Sequence, residues 1–380
     1  MLSEGMGGIQ ADTMVNDVPT VSVIIPVLNE ERHIRECLNS IVANDYPKEA
    51  LEVLVVDGGS TDGSREIVME YCKKFPFIRL LHNPKRIVAA ALNIGLRESV
   101  GEIIIRMDAH TIYAPDYIRE CVRVLRQGGA ECVGGPMRKI GKGYVAEAIA
   151  VAASSRFAVG DAYFHYADRE RYVDTVYLGA WHRGTLEALG GWNESLVVNE
   201  DYEFSYRLRK AWRGFIWNEE MVVNEDYELN WRLRRSGGRI LVTPSIRCWY
   251  YVRDSLSGLA RQYFRYGFWR VKTLTLHPDS VRWRQLVAPL FVVGVLASIV
   301  LLVFHCYAVG SVVPGLYGVV NLFASLRAAG GRRWRYLPML PVIFAIMHVS
   351  WGSGFLLGLV RWGIPRFRWR SLINAFRWGG

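Results

Sequence analysis

From Arg284 to Gly380 the chain carries no aspartate, no glutamate and no lysine. Ten arginines stand there, and they account for the whole formal net charge of +10. The residues before them are balanced, so the basic total does not mark a nucleic-acid groove, and no nucleic-acid partner is expected. Arginine beside apolar stretches meets anionic headgroups, which makes membrane lipids the expected contact. Cysteines are few and scattered: Cys37, Cys72, Cys121, Cys132, Cys248 and Cys306 form no close pair and no zinc-like spacing. Most lie in apolar patterns and read as buried thiols in a reducing compartment. Residues 1–19 have no basic start followed by an apolar core, so they read as a flexible lead and not a signal peptide. No Gly-x-Gly-x-x-Gly follows the first strand, which disfavours a Rossmann dehydrogenase. A hydrophobic share of 51% excludes a disordered chain.

What is present is an alternation. Short β-branched runs at Val21–Val27, Leu51–Val56, Ile78–His82 and Glu102–Met107 predict strands. Between them Glu30–Ala43, Ser64–Phe75 and Arg86–Ser99 have helical spacing, with Ile34, Leu38 and Ile41 on one face. Strands apolar throughout and separated by helices predict an α/β fold with a mainly parallel sheet, over residues 20–283. Residues 284–380 form a membrane region with apolar segments at about 285–304, 307–326 and 336–360, each near the length of a bilayer crossing. A cytoplasmic catalytic part with three full crossings puts Arg327–Arg335 inside and the arginines from Arg361 onward outside. Pro338, Pro341, Gly352 and Gly354 leave open a broken or re-entrant third segment. A chain stopped near Trp283 is expected to leave the membrane fraction, at least in part.

Ligands of such a sheet bind beyond the carboxyl ends of its strands. Strand one ends in Pro26-Val27-Leu28-Asn29-Glu30, strand two in Asp57-Gly58-Gly59-Ser60-Thr61-Asp62, and strand four in Asp108-Ala109-His110. One such turn is ordinary turn chemistry, but three at one sheet edge suit a nucleotide-diphosphate sugar. Asp57 can accept the imide N–H of a uracil-type base, and the glycines allow close approach to the nucleotide. Asp108 and His110, two apart in an extended segment, can reach one cation; carboxylate with imidazole tolerates Mn2+ as well as Mg2+. Such a metal would neutralise a diphosphate leaving group. Lys85 and Arg86, after strand three, are further candidates for that diphosphate, or a solvated basic pair.

The succession VSVIIPVLNE, VVDGGSTDGS, ALNIGL, DAH and NEDYE resembles the family 2 inverting glycosyltransferases of GT-A fold, over roughly residues 20–270. With its membrane tail the chain is most similar to bacterial exopolysaccharide glucosyltransferases of the succinoglycan type. The resemblance implies that Pro26, Asn29, Glu30, Asp57, Gly58, Ser60, Asp62, Lys85, Asn93 and Asp108 surround the nucleotide sugar. It implies that Asp108 and His110 hold the metal, and that an aspartate of a Glu-Asp pair is the catalytic base. His110 departs from the usual third position of the metal element, which leaves the metal's identity open. Gln262-Tyr263-Phe264-Arg265-Tyr266 departs from the Gln-x-x-Arg-Trp of processive synthases by ending in Tyr266. Gln262, Arg265 and Tyr266 are therefore candidate acceptor or diphosphate contacts without a claim of processivity.

The Glu-Asp pair occurs twice. Trp192–Glu203 returns as Trp217–Glu228, within a tandem 25-residue duplication at 192–241. Two copies cannot build a solenoid; a local duplication of one catalytic cassette is expected. Glu200 and Asp201 belong to the first copy, Glu225 and Asp226 to the second. Only the second leaves through Ser236-Gly237-Gly238 into an apolar strand-like run, a good helix stop, so Asp226 is the expected base and Asp201 the alternative.

The expected reaction is transfer of a hexose, glucose by resemblance, from a UDP-type donor to a lipid-linked saccharide in surface-polysaccharide assembly. It is placed at the inner membrane, multi-pass, with the catalytic part facing the cytoplasm and other assembly proteins as partners. Two alternatives stand beside it: a polyprenyl-phosphate sugar synthase, and a non-catalytic membrane scaffold that keeps the sugar-nucleotide fold.

Overall fold

The computed structural model describes residues 18–160, 162–194, 225–331 and 333–365. The first copy's Glu200 and Asp201 lie outside the described residues.

The chain opens with β1 (Val21–Val27), α1 (Ile34–Val42), β2 (Leu51–Asp57), α2 (Ser64–Lys74), β3 (Ile78–His82), α3 (Val88–Glu98) and β4 (Ile103–Arg106). These match the alternation of the sequence to within a few residues at each end. β3, β2, β1 and β4 lie side by side and parallel, in that order. Ile24, Val53, Leu54, Val55, Ile103 and Ile104 are at most 1% exposed, because helices cover both faces. β2 and β3 lie on one side of β1, β4 on the other. The crevice between the ends of β1 and β4 is therefore a switch point.

Beyond β4 the pattern turns mixed. β5 (Thr111–Tyr113), α4 (Tyr117–Arg126), β6 (Cys132–Gly135) and β7 (Met137–Ile140) are followed by α5 (Tyr144–Ala153) and α6 (Arg156–Val159). Then come β8 (Arg171–Tyr172), β9 (Tyr177–His182), α7 (Arg183–Ala188), α8 (Glu225–Arg235), β10 (Ile240–Val242) and β11 (Cys248–Tyr251). β9 runs antiparallel between β4 and β6, β10 parallel to β6, and β8 antiparallel at the edge. A small sheet, β5-β11-β7, folds over the carboxyl ends of the main strands.

The second copy of the duplication is built into this core. Leu229 and Leu233 of α8 are buried with Trp181, Trp192 and Val242, and its exit strand β10 joins the main sheet. Glu228, 1% exposed, pairs with Arg232 at 2.8 Å and with His277 at 3.0 Å. Arg232 also donates to the carbonyl of Gly191 at 2.7 Å, tying α8 to the end of α7's turn.

α9 (Leu256–Leu276) then carries the chain toward the apolar tail, which holds α10 (Arg284–Val303), α11 (Tyr307–Gly310), α12 (Val312–Ala328) and α13 (Leu340–Trp362). Ser255 caps α9, its hydroxyl accepting from the N–H of Gly258 at 3.2 Å. Three stretches, Gln285–Val303, Tyr307–Ala328 and Leu340–Trp362, are long and apolar enough to cross a membrane. The expected possibility of a broken third segment is not met: α13 is one continuous helix. Pro341 sits in its first turn, where proline is tolerated. Its glycines serve close packing instead, Gly352 against Ala288 of α10 and Gly354 against Phe264 of α9. Phe268 and Trp269 of α9 pack with Leu357 and Trp362, and Val271 and Leu274 with Phe355. The boundary drawn at residue 283 thus cuts through a shared core, and a chain ending there would expose this side of α9.

Candidate active site

The ends of β1 and β2 lock each other. Asn29 takes a left-handed backbone (φ 57), a conformation asparagine adopts more readily than most residues. Its Oδ1 accepts from Thr61 N–H at 2.8 Å, while its own N–H donates to Ser60 Oγ at 3.0 Å. Glu30 N–H donates to Ser64 Oγ at 2.8 Å. Asp62 accepts from the N–H of Glu31 at 3.2 Å and of Ser64 at 3.0 Å. Asp57, 1% exposed, accepts from Gly59 N–H at 3.1 Å, Ser60 N–H at 3.1 Å, Ser60 Oγ–H at 2.6 Å and Arg65 at 3.3 Å. The carboxylate is taken up in shaping its own turn, and Gly58 is the part of that turn which reaches the cavity.

Across the switch point stands the Asp108–His110 segment. Arg106 Nε lies 3.3 Å from Asp108 Oδ1, and Tyr177 donates to Asp108 Oδ2 at 3.5 Å. His110 Nδ1 lies 3.0 Å from Glu30 Oε1, joining the ends of β4 and β1. Burial alone would lower the imidazole's pKa, but the Glu30 carboxylate outweighs it and raises it to about 8. The ring edges onto Tyr250, centroids 5.0 Å apart. Burial also pushes the Tyr177 and Tyr250 hydroxyls upward.

Among the described residues no cluster of three or more His, Cys, Asp or Glu side chains could hold a metal alone. The pair nevertheless fits a cation shared with a diphosphate, since Mg2+-type sites commonly use one or two side chains and take the rest from phosphate. A histidine ligand usually donates its second N–H to a carboxylate, the relation His110 has to Glu30. Nε2 is then the atom left for a metal, once the imidazole has lost its second proton.

A cavity of about 920 Å³ opens at this point. Pro26, Glu30, Gly58, Arg86, Asp108 and His110 line one end. Gln262, Arg265 and Tyr266 from α9 line its middle, and Gln262 donates to the hydroxyls of Tyr266 at 2.9 Å and Tyr250 at 3.3 Å. The far end runs between α10, α12 and α13. The structure thus brings the β1, β2 and β4 ends together with the Gln262–Tyr266 element. Lys85 and Asn93 are not on this wall. Asn93 clamps the turn after α7: its Oδ1 accepts from Trp192 N–H at 2.9 Å and its amide donates to the Trp192 carbonyl at 2.8 Å and Glu194 at 2.9 Å. Lys85 pairs with the same Glu194 at 2.6 Å. Asn93 of α3 and Lys85 of the loop before it therefore anchor the entry to the duplicated segment.

Several wall residues had no signal in the sequence. Arg156, Arg253 and Arg270 sit in no motif, and Tyr177 and Tyr250 look like ordinary strand aromatics. His165, also on the wall, bonds Lys139 Nζ at 2.7 Å, and burial pushes that ammonium down to about 7. In the second copy, Glu225 and Asp226 belong to α8.

The sequence model of glycosyl transferase family 2 matches residues 22–172. The succinoglycan biosynthesis protein ExoA of Rhizobium meliloti is 31% identical over 357 residues, which cover 93% of this chain and 96% of that protein. A Methanococcus voltae enzyme, named as a dolichyl N-acetyl-α-D-glucosaminyl phosphate diacetamido-dideoxy-glucuronosyltransferase, is 25% identical over 349 residues, 90% of this chain and 97% of its own. Among solved structures, the mannosyltransferase PcManGT of Pyrobaculum calidifontis in complex with GDP-Man and Mn2+ aligns with a TM-score of 0.53. It covers 88% of this chain and 87% of that one at 18% identity, a likeness of fold. Near-complete coverage at 31% identity, on a sheet and crevice of GT-A type, shows that the chain belongs to glycosyltransferase family 2 and is a glycosyltransferase.

Proposed function

We propose that the enzyme transfers a hexose, glucose in the first instance, with inversion from a UDP-type donor to a lipid-linked saccharide during surface-polysaccharide assembly. The observation that carries this reading is the single cavity that runs from Gly58, Asp108 and His110, past Gln262 and Arg265, to helices long enough to cross a membrane. The names of two relatives point the same way, one to succinoglycan and one to a dolichyl N-acetyl-α-D-glucosaminyl phosphate. The lipid-linked product, the cytoplasmic orientation and association with other assembly proteins belong to the same proposal.

In this mechanism the nucleotide lies against the β1 and β2 turns, whose mutual hydrogen bonds keep Pro26 and Gly58 in place. Asp108 and His110 would hold Mn2+ or Mg2+, which supplies charge neutralisation for the departing diphosphate. Glu30 fixes the ring of His110, and Arg86 adds positive charge at the same end of the cavity. Asp226 takes the proton of the acceptor hydroxyl as it attacks C1, a step typically worth ~10²–10⁴-fold. The core-built helix and sheet-joined exit strand of the second copy favour Asp226 over Asp201.

The test is to incubate membranes containing the enzyme with a panel of radiolabelled nucleotide sugars, then extract the lipids. Label from one hexose donor should enter the lipid fraction. Label released only as free sugar, with every donor, would defeat the reading.

A further inference from the structure

A second cavity, of about 370 Å³, shares no lining residue with the catalytic one. Lys139 of β7, Glu147 and Ser154 at the two ends of α5, and Arg333, Arg335 and Tyr336 of the turn before α13 line it. The turn is fastened to α5. Tyr144 donates to the Arg335 carbonyl at 2.7 Å, and Arg335 in turn donates to Glu147 and to the Tyr336 hydroxyl. Beneath these contacts Ile149 and Ala152 of α5 are buried with Leu340 and Phe344 of α13.

The charges on this wall do not balance. Among the described residues Glu147 is its one carboxylate, and Arg335 already pairs with it. Arg333 lines the same wall and makes no ion pair with a described residue. Lys139 bonds His165 at 2.7 Å, and burial pushes its ammonium down to about 7 without a carboxylate to offset it. An anion in the cavity would meet a guanidinium able to pair with it, and would favour the charged form of the lysine.

The position of the cavity selects the kind of anion. One apolar stretch long enough to cross a membrane ends at Ala328 and the next begins at Leu340. The turn between them lies on the side where α5 joins the catalytic sheet, at the level of lipid headgroups. Trp334, between the two lining arginines, is 54% exposed, as an indole at that level would be. Leu322, Phe323 and Leu326, in the last turns of α12, are also exposed, an apolar surface on which acyl chains can lie. A free phosphate ion would gain nothing from Trp334 or from that surface.

We propose that this second cavity is a headgroup site for an anionic phospholipid, whose phosphate is held between Arg333 and Lys139 and whose acyl chains lie along the end of α12. The site takes no part in the transfer proposed above and does not depend on it. It does stand against the catalytic cavity, because Lys139 lines one and its partner His165 the other.

The test uses the full-length protein in neutral detergent, without donor or acceptor. Phosphatidylglycerol and phosphatidylcholine of equal chain length are titrated, and bound lipid is counted by native mass spectrometry. Inorganic phosphate is then added as competitor. Phosphatidylglycerol should bind at least about tenfold more tightly, the scale of a charged hydrogen bond. Arg333→Gln should remove most of that preference, and Lys139→Met should reduce it. Arg327→Gln, which removes an equal charge from α12 outside the cavity wall, should stay within about twofold of wild type. Equal affinity for the two lipids would overturn the proposal, as would equal losses in Arg327→Gln and Arg333→Gln. Displacement of the lipid by an equal concentration of inorganic phosphate would assign the site to a soluble anion instead.

Discussion

Gly267 of α9 faces the backbone of α13 so closely that a Cβ there would collide with the Trp351 carbonyl, and a Cβ on Gly354 of α13 would collide with Phe264 of α9 in return. The two helices touch at backbone distance, one carrying Gln262 and Arg265, the other spanning the apolar tail. Gly354→Val should force them apart at a cost of about 1–3 kcal/mol. A lower melting temperature in detergent, together with reduced transfer, is the expected result; an unchanged melting temperature and rate would contradict this packing.

A chain stopped at Trp283 should not behave as a soluble catalytic domain. Phe268, Trp269, Val271 and Leu274 would lose their cover from α13. Size-exclusion chromatography of that truncation without detergent should show aggregates. A monodisperse, UDP-binding monomer would refute the shared core.

Metal dependence is expected to centre on Asp108 and His110. Chelator should abolish transfer, Mn2+ or Mg2+ should restore it, and Asp108→Ala should not be rescued. Glu30→Gln should weaken the apparent metal affinity by ~10–100-fold, the usual effect of losing a carboxylate behind a histidine ligand. Full turnover in excess chelator would remove the metal from the mechanism.

That Pro26, Glu30, Gly58, Asp108 and His110 stand at one sheet edge was legible in the sequence, and the reason is geometric. β1, β2 and β4 are buried on both faces, so they read as largely apolar runs ending in the turns that border the cavity. β6 to β11 are mixed in direction, and all but the six-residue β9 have two to four residues, too few to carry a periodicity. The packing of α9 on α13 was not legible because Arg261, Arg265, Arg270 and Lys272 interrupt the apolar run of its sequence. Asn93, which the resemblance places at the nucleotide sugar, has its amide on the Trp192–Glu194 turn, a contact that no local pattern announces.

The two copies of the Glu-Asp cassette are separable by single substitutions. Asp226→Asn should lower turnover at saturating donor by ~10²-fold or more, with Asp201→Asn near wild type. The reverse pattern would reassign the base to the first copy.

Glu228 gives a pH prediction. Burial opposes its ionisation, but hydrogen bonds from His277 and Arg232 outweigh it and hold the carboxyl below the ordinary range. A lowered carboxyl contributes stability that is complete above its unfolded value, about 4.3, and lost as pH falls through the folded value. Glu228→Gln should therefore cost about 2–3 kcal/mol at neutral pH and narrow its gap to wild type below about pH 4. Thermal melts in detergent from pH 3 to 8 would show it, and a gap that widens in acid would reverse the sign of this assignment.

The backbone contact at Gly267 and Gly354 has a consequence for the enzyme's setting. A membrane-spanning helix answers a change in bilayer thickness by tilting, and α13, long and apolar enough to span, packs on α9 at backbone distance. Acyl-chain length in the host membrane thereby becomes a kinetic variable: reconstitution in thinner or thicker bilayers should move the transfer rate even when donor, metal and acceptor are all saturating.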